Sequence, residues 1–124
     1  MTRTDVVQLS VRLVAAPDRA DDILRTLLRA VVRPAQQLAG CRFAQVYQRV
    51  GDPRLIDYIE EWDDMATFRP HLSCERFSRL LELIEMAAEA PEVEFRCISE
   101  THGIGYVVTQ RAMQAVHDSE PDDL

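Results

Sequence analysis

The sequence predicts an α+β domain with the element order β-α-β-β-α-β, and three observations carry that prediction. Alternating polarity recurs in four short stretches, at residues 5–15, 41–50, 54–62 and 92–102. Two longer stretches, 18–39 and 63–88, instead repeat apolar residues every three or four positions. Between the second and third alternating stretches stands only Gly51-Asp52-Pro53, a turn signal that makes those two strands an antiparallel hairpin.

The first strand, Asp5–Ala15, sets Val7, Leu9, Val11 and Leu13 against Val6, Gln8, Ser10 and Arg12. Pro17 and the acids Asp18, Asp21 and Asp22 then suit a helix N-terminus, where the dipole favours negative charge. Ile23, Leu24, Leu27, Leu28 and Val31 form the apolar stripe of that helix, while Arg25, Arg29 and Arg33 share a solvated face. Pro34 is expected to interrupt the helix, and Gly40 to end it.

The second strand, Cys41–Val50, alternates Phe43, Gln45, Tyr47 and Arg49 with Ala44, Val46 and Gln48. In the third, Arg54–Trp62, one side carries Ile56, Tyr58, Glu60 and Trp62, and the other Leu55, Asp57, Ile59 and Glu61. Asp63 or Asp64 can cap a short helix, which Pro70 should break near Arg69. Ser73 is the expected cap of the next helix, running to about Ala88, with Phe77, Leu80, Leu81, Ile84 and Ala88 buried. The fourth strand, Glu92–His102, follows Pro91. Gly103 and Gly105 then loosen the chain, Ile104–His117 reads as a helix, and the acidic end HDSEPDDL should fray. The chain therefore divides into a domain at 1–103 and a C-terminal extension at 104–124.

The bulk composition of the 124 residues bounds what this domain does. One domain of this length buries roughly two-thirds of its unfolded surface, enough for a single core. The net charge of −7 disfavours a nucleic-acid partner. All fourteen basic residues are arginine, which excludes a lysine Schiff base. No apolar run approaches the ~20 residues of a membrane helix. MTRTDVVQ does not read as a signal peptide, so a cytoplasmic location without membrane association is expected. Cys41, Cys74 and Cys97 form no CxxC pair and read as free, buried thiols.

The element order is that of the ferredoxin-like split βαβ arrangement, a four-stranded antiparallel sheet with helices on one face. Whichever face the helices take, the other still carries Val, Leu, Phe or Tyr. Exposed apolar sheet surface of this kind marks a partner, and the simplest is a second copy related by two-fold symmetry. Two sheets facing each other would form a barrel, so a homodimer through the open sheet face is expected.

The chemistry concentrates in Tyr58–Phe77, YIEEWDDMATFRPHLSCERF. Trp62 is either a core aromatic or the wall of an aromatic pocket, where its face and its N–H suit a planar hydroxylated ligand. His71 is either a helix-end residue or a general base, since histidine changes charge near neutrality. Glu60 and Glu61 alternate across the strand and do not share a site. Arg69 and Arg76 flank His71 and read as surface partners of Asp64 or Glu75. The sequence contains no metal-ligand spacing, phosphate-binding glycine loop, dinucleotide fingerprint or Ser-His-Asp signature, so no metal and no cofactor is expected.

The run EEWDDMATFRPHLSCERF resembles the antibiotic biosynthesis monooxygenase family, the quinol monooxygenase-like proteins that form dimeric α/β barrels. Glu60, Trp62, His71, Ser73 and Phe77 stand at that family's places, and Gly40-Cys41 at the usual start of its second strand. The resemblance spans about residues 5–100. It implies a cofactor-independent monooxygenase that oxidises a small aromatic hydroxylated compound of quinol, polyphenol or anthrone type with O2. On that reading His71 is the base or orienting group and Trp62 a wall. Tyr58, Tyr47, Gln8 and Phe68 would contact substrate. Tyr58 and Phe68 stand where anthrone-oxidising members carry an amide and a tyrosine. The same fold also allows a non-catalytic small-molecule-binding or stress-related dimer, and haem binding or degradation.

Overall fold

A computed structural model describes residues 5–119 of the chain, and the far end of the acidic tail lies outside the described residues. Strand β1 (Val6–Val14) leads into helix α1 (Ala20–Thr26), a π-helical segment Leu27–Val32 and a short α2 (Arg33–Ala35). The hairpin β2 (Cys41–Arg49) and β3 (Asp52–Trp62) follows. Then come α3 (Met65–Phe68), a 3₁₀ turn Arg69–Ser73, α4 (Glu75–Glu85), β4 (Glu92–Ile98) and α5 (Ile104–Ser119). The strands lie in the order β2-β3-β1-β4, every neighbouring pair antiparallel. This is the ferredoxin-like fold.

Period-two alternation decides which side chains meet the helices. Val7, Leu9, Val11 and Leu13 of β1 are buried against them, with Ala44 of β2 and Ile56, Tyr58, Glu60 and Trp62 of β3. Ile23, Leu27, Val31 and Ala35, four residues apart along the first helical stretch, close the core from the other side.

Pro34 does not interrupt that stretch. Ahead of it the helix widens into π winding, and the Arg33 N–H reaches back to the Leu28 carbonyl. Proline has no N–H to give, and the register change lets it follow without a broken ladder. The helix therefore runs on to Ala35. Asp64 caps α3, its carboxylate accepting from the Thr67 N–H at 2.8 Å. Ser73, by contrast, ends the 3₁₀ turn, and Cys74 occupies the N-cap of α4 without a side-chain bond. Strand β4 stops at Ile98 rather than His102 because Val6, the first residue of β1, is the last to pair with it. Leu81, expected in the core, is exposed on the flank of α4. Of the three free cysteines, Cys41 and Cys74 are half-buried and Cys97 is exposed, so none is a fully buried thiol.

The open sheet face is more polar at its centre than the alternation suggests. Arg12 Nε donates to Asp57 at 2.9 Å, and Gln8 bridges Glu61 and Arg96, each at 3.3 Å. Phe43, Leu55 and Ile59 lie half-buried on the same face, around this polar group.

Gly40 joins the helical stretch to β2 at φ +87°, and a Cβ there would lie 2.7 Å from Thr67 Cβ. Gly51, at φ +88°, faces open space. Gly40→Ala is therefore expected to cost more than the about 1–3 kcal/mol of backbone strain alone, and Gly51→Ala only that strain. Urea midpoints of the two variants check this. A Gly40→Ala midpoint no lower than that of Gly51→Ala would refute the close approach of the β2 start to α3.

Candidate functional site

Successive inward positions of β3 place Tyr58, Glu60 and Trp62 side by side, all fully buried. Arg76, in the first turns of α4, reaches down to them and is itself buried. Its Nη1 and Nη2 donate to Glu60 Oε2 and Oε1, each at 2.9 Å, a bidentate pair. The Trp62 indole N–H donates to Glu60 Oε1 at 2.6 Å, and the Tyr58 hydroxyl donates to Oε2. Arg76 Nη1 also lies 3.4 Å from the Tyr58 hydroxyl oxygen, while the buried Arg76 Nε has no partner among the described residues.

Burial alone would raise the Glu60 pKa, but hydrogen bonds and charge from Arg76, then the Tyr58 and Trp62 donors, hold it below the ordinary value of 4.5. Burial and the adjacent carboxylate push the Tyr58 hydroxyl pKa upward. For Arg76 burial acts downward, but the bonds and charge of Glu60 outweigh it and raise the pKa. Glu60 is thus a fixed carboxylate, Arg76 a fixed cation and Tyr58 a neutral donor. Nearby, burial pushes the Cys41 thiol up to about 11, leaving it protonated and unreactive.

The sequence reading missed this cluster and placed Arg76 on the surface. The signal was present. Arg76 stands four residues before Leu80 and seven before Leu83, both buried on the same stripe. Glu60 interrupts a row of inward apolar residues. Two opposite charges at positions where the pattern calls for apolar side chains form a buried pair.

His71 sits in the 3₁₀ turn, half-buried, with its ring stacked on Trp62 at a centroid distance of 4.5 Å and an angle of 29°. Among the described residues neither of its ring nitrogens has a hydrogen-bond partner. Phe68 turns an edge to Trp62 at 6.0 Å and lies 5.3 Å from Phe95 of β4. Phe95 is 42% exposed, so Trp62, Phe68 and Phe95 form a path of rings from the buried carboxylate to the surface.

Of the residues predicted to form a site, the structure therefore brings together Trp62, His71, Phe68 and Tyr58. Gln8 and Tyr47 do not join them, because strand alternation turns both to the open face. There Tyr47 borders a hollow of about 280 Å³ with Ser10, Arg12, Asp57, Glu94 and Arg96. Nor is the Trp62 N–H available to a ligand, since Glu60 holds it. Among the described residues no group of three or more His, Cys, Asp or Glu could hold a metal ion.

The model of the antibiotic biosynthesis monooxygenase family matches residues 7–83, more than half of the chain, including Tyr58, Glu60, Trp62, His71 and Arg76. The chain belongs to that family. Solved structures agree in fold. A Pseudomonas aeruginosa protein is 28% identical with a TM-score of 0.65, over 78% of this chain and 97% of its own. A structure named as an antibiotic biosynthesis monooxygenase is 24% identical with a TM-score of 0.63, over 78% of this chain and 99% of that one. A Bacteroides thetaiotaomicron protein of unknown function is 13% identical with a TM-score of 0.68, over 77% of this chain and 99% of its own. Among curated proteins no match is found. No helix among the described residues is long and apolar enough to cross a membrane.

Proposed function

We propose that this family member is a monooxygenase that oxidises a small hydroxylated aromatic compound with O2 and needs no bound cofactor. The observation that supports it is the His71 imidazole, half-buried and stacked on Trp62 with its ring nitrogens uncommitted among the described residues. His71 takes a phenolic proton and leaves an electron-rich anion. That anion reduces O2 itself. One oxygen atom enters the ring carbon, the other leaves as water, and the substrate supplies the electrons. The protein contributes a base, aromatic walls and exclusion of water. Trp62 and Phe68 form the walls. Tyr58 serves through the Glu60 network, which holds Trp62 in place, rather than by touching substrate. The functional unit is a homodimer through the open sheet face, supported by Phe43, Leu55 and Ile59 there.

Oxygen uptake with a panel of quinols, polyphenols and anthrones tests the reading. His71→Ala is expected to lower kcat by about 10²–10⁴-fold while the variant stays folded. If no compound drives oxygen uptake, or if His71→Ala turns over like the parent, the chain is not this enzyme.

A second reading is a non-catalytic dimer that binds a small polar molecule. The hollow of about 280 Å³ on the open face, with Tyr47, Arg12 and Arg96 at its walls, favours it. On that reading Arg12 and Tyr47, rather than His71, would be the residues whose replacement weakens ligand binding.

A further inference from the structure

Two apolar surfaces of this chain stand uncovered, and they match in length and character. The first is the helix side of β4. Val93, Phe95 and Cys97 pair with Val11, Leu9 and Val7, which are core residues, so they point to the helix-covered side of the sheet. Yet Val93 is 52% exposed, Phe95 42%, and Cys97 is exposed as well. Helix α4 buries Arg76, Leu80 and Leu83 instead, and leaves Leu81 exposed. An apolar strip therefore runs along β4 on the helix side of the sheet.

The second surface is α5. Every described side chain on it, from Ile104 to Asp118, is exposed. Ile104, Val107, Val108, Ala112 and Ala115 recur at three- and four-residue steps and form one apolar stripe. A lone helix of this length is marginal in water, and its stability has to come from packing that stripe. The dimensions agree. Seven residues of β4 span about 23 Å, and sixteen of α5 about 24 Å. Arg111 lies within the stripe, and Glu85 stands one turn beyond Leu81 on α4.

In the chain itself α5 does not fold back over β4. We infer that α5 of one copy lies along β4 of a second copy, which returns its own α5 in exchange. Reciprocal exchange closes under two-fold symmetry and leaves no free strip to propagate a chain of copies. It also roofs the exposed end of the ring path at Phe95, so each candidate site is completed by the other copy. The exchange does not depend on the reaction class, and its test does not measure turnover.

Cys97 supplies the probe. In a full-length chain with Cys41→Ser and Cys74→Ser, cysteine is placed singly at Ile104, Val108, Ala112 and Ala115, and at Gln110 on the opposite side of α5. On mild oxidation at least one stripe position is expected to give a covalent dimer as the main species on a non-reducing gel. That dimer should vanish when Cys97→Ser is added, and Gln110→Cys should give none. An intramolecular disulfide would show that α5 covers its own strand and would overturn the exchange. So would the absence of any disulfide to Cys97, or equal dimer from Gln110→Cys.

Discussion

An Arg76→Met variant is expected to lose about 3–5 kcal/mol of folding stability, because it strands the Glu60 carboxylate in the core without a counter-charge. For a domain of this size that lowers the midpoint of thermal unfolding by roughly 10–20 °C. The partner substitution separates charge from packing. Glu60→Gln removes the negative charge but keeps a carbonyl to accept from Trp62, with its amide N–H turned to the Tyr58 hydroxyl oxygen. The Glu60→Gln/Arg76→Met double variant should therefore be more stable than Arg76→Met alone, and the full cycle with Glu60→Gln should give a coupling above about 1 kcal/mol. A double variant no more stable than the single one would mean that Arg76 matters for its volume and not for its charge.

The same pair sets the acid limit of the fold. The folded-state pKa of Glu60 lies below its ordinary value. Its contribution is thus fully present above pH 4.5 and lost as pH falls from there through the lower folded value. In Arg76→Met the sign reverses, since burial without the guanidinium favours the protonated acid. That variant should gain stability relative to the parent as the pH is lowered from neutrality. Urea midpoints of both proteins between neutral and acid pH check this, and parallel profiles would refute it.

Most of the architecture was legible in two periodicities. The four alternating stretches became the four strands, and the inward sets Val7-Leu9-Val11-Leu13 and Ile56-Tyr58-Glu60-Trp62 were already sorted in the sequence. What periodicity could not show was accommodation. Pro34 reads as a helix breaker, and only a shift to π winding, invisible in composition, lets the helix pass through it. Ser73 reads as a cap, yet the turn imposed by Pro70 extends one residue further and hands that place to Cys74. For the site, His71 and Trp62 stood out as residue types, but their stacking depends on that same turn. Gln8 and Tyr47 were grouped with them by resemblance, although period two alone sends both to the other side of the sheet. The Glu60–Arg76 pair was missed because each charge was judged by its type. Its position in a buried row was the better guide.

Trp62 is the residue on which fold and candidate chemistry converge, and its substitutions should rank accordingly. Trp62→Ala is expected to cost about 3–5 kcal/mol, through lost burial and the cavity beneath Phe68. Trp62→Phe keeps a ring for His71 and Phe68 but removes the N–H to an ionised acceptor, at about 1.5–3 kcal/mol. His71→Ala removes one stacked ring from a half-buried position, at about 0.5–1.5 kcal/mol. Denaturant midpoints of the three variants test that order. The ranking carries a functional consequence, because the Trp62 N–H is committed to Glu60 and cannot hydrogen-bond a substrate. A folded Trp62→Phe protein should therefore keep its affinity for any ligand the parent binds, and lose turnover only so far as His71 is less well held. If Trp62→Phe instead abolishes binding while stability falls little, the indole N–H faces the ligand, and the Glu60 bond is not what holds it.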